Sequence, residues 1–173
     1  MLPLPARVDA LRSCQQRLTY RGAVPLAGMG RLATQMVDAS GAAEAVWQFG
    51  MDEQGRKTLQ GEVTASVSMS CQRCLGPIRV PVRSEVSLAL VWDDEQAAQL
   101  PRQLEPIVLE SNELDLHELV EDELLLSVPL VPLHPEGECE QPESKIVQVA
   151  EDGVRKPNPF QVLAALKSGD PKP

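Results

Sequence analysis

An α+β fold is the class this sequence predicts: an antiparallel β-meander with a long hairpin, packed by two or three short helices. Three observations predict it. From Leu59 to Trp92 the chain alternates apolar and polar residues at period two through two long runs, the signature of half-buried strands. The runs are separated by Cys71-Gln-Arg-Cys-Leu-Gly-Pro77, a natural turn. Later, Leu116, Leu119, Val120 and Leu124 fall at the three-and-four spacing of an amphipathic helix. A chain of 173 residues that is 43% hydrophobic supports one domain spanning 1–173. Aromatics make up only 3%, so its core must be aliphatic.

Residues 1–25 show no clean periodicity, although Asp9 to Leu18 can form a short helix before Gly22 and Pro25. Met29, Leu32, Ala33, Met36 and Val37 predict a short amphipathic helix between Ala27 and Ala39. Ala45, Trp47, Phe49 and Met51 alternate as a strand, and Asp52 to Gly55 forms the turn into the hairpin. The result is a three-stranded meander from about Glu44 to Trp92, with Trp47 and Trp92 expected on its buried face.

In the first half of the hairpin, Val63, Ala65, Val67 and Met69 face inward. In the second half Ile78, Val80, Val82, Val86, Leu88, Leu90 and Trp92 share one parity, with Arg79, Arg83, Glu85 and Ser87 on the other. Beyond it, Asp93 to Leu100 predicts an acidic helical turn and Pro106 to Leu109 a short strand. Asp115 followed by Glu118 marks a helix start, with His117, Glu118, Glu121 and Asp122 expected on the solvent face.

Pro129, Pro132 and Pro135 make the next run an extended proline-rich loop. Residues 136–157 are polar and expected to be flexible. Asn158 and Pro159 then start a short C-terminal helix through Lys167, with Phe160, Leu163 and Leu166 available for docking.

The formal charge of -9 is unevenly spread. Arg7, Arg12, Arg17, Arg21 and Arg31 face one acid in the first 31 residues, while eleven acids face one base between Asp93 and Glu123. So acidic a chain repels a bare polyanion, and direct RNA contact would have to use its arginines. The N-terminus lacks the apolar core of a signal peptide, and no apolar run is long enough for a membrane span, which predicts a cytoplasmic protein.

In a reducing compartment, Cys71 and Cys74 read as a metal or redox pair rather than a disulfide staple. His134 and Cys139 complete a Cys3His set suited to one structural zinc ion. Free turn thiols are the bland alternative. A thioredoxin-like redox pair fits poorly, since it sits at a helix N-terminus and strands flank this one. Cys14 reads as a buried small residue. No phosphate loop, nucleophile elbow or dinucleotide fingerprint is present, which disfavours catalysis.

Several blocks in order resemble a known family: Gln16-Arg-Leu-Thr-Tyr-Arg-Gly22, Leu59-Gln-Gly61, Cys71-Gln-Arg-Cys74, Val120-Glu-Asp-Glu-Leu124, Val128-Pro-Leu-Val-Pro-Leu-His134 and Lys156-Pro-Asn-Pro-Phe160. The chain is similar to the YceD family of large ribosomal RNA subunit accumulation proteins in its proteobacterial form. That resemblance implies a role in the synthesis, processing or stability of 23S ribosomal RNA, without catalytic activity. Other branches of the family carry further cysteines near the positions of His134 and Cys139.

The expectation is therefore a non-enzymatic ribosome-biogenesis factor, an adaptor for ribosomal or RNA-processing proteins, with no membrane or small-molecule ligand. The alternative is direct binding of 23S rRNA or its precursor through Arg17, Arg21, Arg73, Arg79 and Arg83. A zinc-dependent RNA-processing enzyme is the third reading.

Overall fold

The computed structural model describes residues 2–139. The predicted C-terminal helix, and all but 136–139 of the predicted flexible segment, lie outside those residues. In chain order the elements are β1 (Arg7–Asp9), α1 (Ala10–Gln16), β2 (Thr19–Pro25), a 3-10 turn (Leu26–Gly28), α2 (Gly30–Ala33), β3 (Ala42–Met51), β4 (Lys57–Ser70), β5 (Pro77–Val91), α3 (Asp94–Ala98), β6 (Glu105–Val108), β7 (Glu113–Asp115) and α4 (Leu116–Ser127).

Five strands form one sheet in the order β2-β3-β4-β5-β6, antiparallel except for the parallel β5–β6 pair. The predicted meander is its centre. Val63, Val67 and Met69 of β4 are buried, as are Val82, Leu88 and Leu90 of β5, so the alternating parity held. α1 packs on β3 and β4, and α4 on β4 and β5, closing one aliphatic core over the inner face. A second, two-stranded sheet pairs β1 with β7 and ties the two ends of this body together.

On β3, Trp47 is fully buried and lies over Gly61, its partner in the β3–β4 register. A Cβ on Gly61 would sit 2.0 Å from the indole ring, so this position has room only for glycine.

The hairpin outruns its neighbours. β3 pairs with β4 only as far as Thr64, and β6 pairs with β5 only from Leu88 onward. The outer part, Ala65 to Ser70 paired with Pro77 to Val82, therefore projects by roughly 20 Å at strand rise. It is steadied toward its outer end by Val37, whose N–H donates to the Ser68 carbonyl.

Several expectations need correction. β2 was unpredicted; its inward residues are Tyr20, Gly22 and Val24, and the central glycine shows no side chain to read. Gly22 is required there because Leu4 crosses it, with the Leu4 nitrogen 2.5 Å from where a Cβ would be. The helix expected over Ala27 to Ala39 shrinks to the 3-10 turn and the four residues of α2. Neither piece is capped by the side chain of its own N-cap residue, and Val37 and Asp38 are diverted to the hairpin. Trp92 has the predicted parity but lies past the last β5–β6 pair, Val91 with Val108, and is 41% exposed.

α4 starts as expected, with Asp115 accepting from the N–H groups of His117 and Glu118. Its polar face differs from the prediction. Glu121 and Glu123 are buried. Glu121 accepts from the N–H groups of Arg31 and Leu32, capping α2, and from the Arg31 guanidinium. Glu123 accepts from the Ser84 hydroxyl at 2.8 Å. His117 turns toward the N-terminal segment, its Nε2 lying 2.9 Å from the Leu4 carbonyl.

Candidate metal centre

The turn between β4 and β5 is a knuckle closed by the backbone. Cys71 N–H donates to the Gly76 carbonyl, and Leu75 N–H returns to the Cys71 carbonyl. The left-handed residue of this turn is Leu75, with φ of 62°, rather than the adjacent Gly76 on which the sequence focuses attention. A leucine seldom occupies that region. Its side chain is 73% exposed at the tip.

The proline-rich loop after α4 returns to the knuckle, as the sequence predicts. The Gln72 N–H donates to the Pro132 carbonyl at 2.9 Å, and His134 Nε2 lies 3.2 Å from the Pro77 carbonyl. The loop thereby brings His134 and Cys139 to the cysteine pair. The ligand atoms of Cys71, Cys74, His134 and Cys139 all lie within 4.8 Å of one another.

The individual spacings suit one tetrahedral ion. Arms of about 2.3 Å to sulfur place two thiolates about 3.8 Å apart, and a sulfur and an imidazole nitrogen about 3.5 Å apart. Cys71 Sγ lies 3.8 Å from Cys139 Sγ, and Cys74 Sγ lies 3.4 Å from His134 Nδ1. The donor set fits zinc. With Nε2 engaged at Pro77, Nδ1 is the nitrogen left to face the thiols, so the Pro77 carbonyl fixes the tautomer. That carbonyl is not legible as a functional group in the sequence.

The thiols are unequal. Burial pushes the Cys71 thiol up, but N–H groups of Cys74, His134 and Arg73 and the Cys74 thiol outweigh it and hold Cys71 at about 5. Burial, then the neighbouring Cys74 and Cys71, push Cys139 to about 11. A cation at the centre relieves that conflict, because each thiolate then faces positive charge. Cys14 belongs to another place: it is buried under α1, its thiol directed at the Thr58 carbonyl.

Of the five arginines proposed for RNA contact, three lie on the hairpin and the other two on β2 and at the end of α1. Arg73 lies in the knuckle and Arg79 opposite Ser68 on the projecting hairpin. Arg83 is held between Glu62 at 3.2 Å and Glu85 at 2.6 Å. Arg21 stands on β2 in the same cross-sheet row as Glu62 and Glu85, and Arg17 ends α1 with φ of 51°. Acids therefore interrupt the cationic positions on the outer sheet face.

Known proteins place this chain in a family. A family model described as "Large ribosomal RNA subunit accumulation protein YceD" matches residues 59–167, a span that contains all four clustered donors. The chain belongs to the YceD family. Its relatives include the large ribosomal RNA subunit accumulation protein YceD of Haemophilus influenzae (strain ATCC 51907 / DSM 11121 / KW20 / Rd), 38% identical over 167 residues. That alignment covers 95% of this chain and 96% of the relative, so the likeness to this YceD protein is not confined to the metal centre. No solved structure matches. No helix among the described residues is long and apolar enough to cross a membrane.

Proposed function

We propose that the protein is a non-enzymatic factor in large-subunit biogenesis that supports the synthesis, processing or stability of 23S rRNA as a protein adaptor. The observation that carries the non-catalytic part is the donor set itself. Three cysteines and a histidine converge on one point, and four protein ligands fill a tetrahedral ion with no position left for water or substrate. Zinc held by Cys71, Cys74, His134 Nδ1 and Cys139 is then a structural cross-link between the hairpin tip and the loop.

Two surfaces support docking of a basic ribosomal or RNA-processing protein. One is a 490 Å³ concavity beside α4, lined by Glu110, Glu113, Asp115, Glu118 and Asp122 against the single base Arg7. The other is the tip region, where Leu75, Leu130 and Val131 are exposed. Exposed aliphatic side chains and a mainly acidic concavity are what a basic protein partner uses. Arg83, paired with Glu62 and Glu85, is the less available for phosphate, which favours this reading.

The test is capture from cells at moderate salt with full-length bait. Wild type is expected to retain ribosomal or processing proteins, and a Glu113→Lys, Glu118→Lys double variant to lose most of them. Recovery of none by wild type overturns the adaptor reading. A 23S rRNA gel shift that weakens steeply with salt would replace it with direct RNA binding.

A further inference from the structure

We propose that Cys71 and Cys139 form a redox latch across the metal centre, which a peroxide closes into a disulfide with release of the ion. The proposal rests on the metal reading above and concerns its regulation. Its basis is which sulfurs touch and which segments they join.

Cys71 opens the knuckle and Cys139 ends the described part of the loop, 68 residues later, yet their sulfurs are 3.8 Å apart. Closing a disulfide of about 2.05 Å asks them to approach by about 1.8 Å, a side-chain movement rather than a refolding. Cys74 is differently placed, its sulfur lying 3.4 Å from His134 Nδ1. The remaining thiol, Cys14, is buried beneath α1 at the Thr58 carbonyl, in another part of the body. Cys71 with Cys139 is the touching sulfur pair that joins two distant segments; Cys74 lies within 4.8 Å of both and is the competitor the experiment separates.

The chemistry balances with a hydroperoxide as the named oxidant. One thiolate sulfur attacks the peroxide, the O–O bond breaks, and the sulfur becomes a sulfenic acid as the leaving oxygen takes a proton to give water or alcohol. The second thiol then displaces the sulfenic oxygen, forming the S–S bond and releasing water. Two electrons pass from the sulfurs to the peroxide. The ion loses two of its four donors, and Cys74 with His134 alone do not retain it.

This pairing has a consequence that a Cys71–Cys74 bridge would lack. A disulfide within the knuckle would leave the loop held only by its hydrogen bonds. A Cys71–Cys139 bridge keeps the loop fastened to the hairpin after the metal has gone. The latch exchanges one cross-link for another and discharges the ion without opening the tip.

The experiment treats the full-length protein with limited hydrogen peroxide, before and after stripping metal with a chelator. Disulfides are mapped by non-reducing peptide mass analysis, and zinc is followed with a colorimetric indicator. The expected result is a linked Cys71–Cys139 peptide pair, appearing in step with zinc release and absent in Cys139→Ser. A Cys71–Cys74 link as the main product, or oxidation to sulfinic acid without a link, overturns the latch while leaving the metal reading intact. A Cys71–Cys139 link in protein that takes up no zinc overturns the metal reading and, with it, the release of an ion, leaving a disulfide pair alone. Cys74→Ser serves as a second variant, expected to keep the Cys71–Cys139 link.

Discussion

Leu75 holds a backbone conformation that glycine adopts freely and leucine does not, with its side chain exposed at the hairpin tip. Left-handed geometry costs an L-residue roughly 1–2 kcal/mol, partly offset by the greater unfolded-state freedom of glycine. Leu75→Gly is therefore expected to raise thermal stability slightly, by on the order of 0.5 kcal/mol, while weakening partner capture through loss of the side chain. A thermal melt set beside the capture assay checks both, and lower stability in the melt would contradict the strain. The two buried carboxylates of α4 give opposite pH behaviour. Burial pushes Glu121 up, but the Leu32 and Arg31 N–H groups and the Arg31 guanidinium outweigh it, so its value lies below the ordinary carboxylate range. Its stabilisation is present above the unfolded pKa and lost as pH falls through the folded one. Glu121→Gln should cost about 2 kcal/mol at neutral pH, with the gap closing on strong acidification. Burial raises Glu123, with help from Glu105 and Asp122 and against the Ser84 hydrogen bond. Here stability is full below the unfolded pKa and falls as pH rises through the raised value. Glu123→Gln is expected to raise the melting temperature near pH 7 and to change little near pH 4; a loss at pH 7 would mean that the charge is used.

At the scale of elements, the hairpin shows why some of this fold was legible and some was not. β4, and β5 as far as Leu88, each bury one face, so a shift of one residue would expose the core set, and the sequence records that constraint as alternation. β2 buries Gly22 at its centre because Leu4 passes over it, so the strand has no readable middle. The acids of α4 look like solvated charge because the N–H groups and hydroxyl that bind Glu121 and Glu123 lie on α2 and β5. Three metal donors were readable because cysteine is scarce, and His134 because it stands near Cys139. Pro77 contributes only a carbonyl, which every residue has. Strand packing also yields a sharp prediction. Gly61→Ala should destabilise the protein by about 3 kcal/mol or more, since neither the buried indole nor the strand can yield far enough. Near-wild-type denaturant unfolding would show that Trp47 can be repacked cheaply.

For the whole molecule, the Cys3His cluster brings the chain downstream of α4 against a hairpin that precedes it by some sixty residues. Purified protein is expected to hold about one zinc per chain, and Cys74→Ser to lose it together with amide-exchange protection at Gln72, whose N–H is bonded to the loop. Zinc-free wild type would remove the cross-link from the account. The small β1–β7 sheet is a second fastening of this long-range kind. Arg7 pairs with Asp115, and the Leu116 N–H reaches the Ala6 carbonyl. During synthesis at about 5–20 residues per second, the first strand must wait roughly 5–20 s for its partner to be made. Until then β1 has no strand to pair with, although Leu2 and Leu4 just before it already have Ala23 to bond, so closing the β1–β7 sheet is a late step of folding.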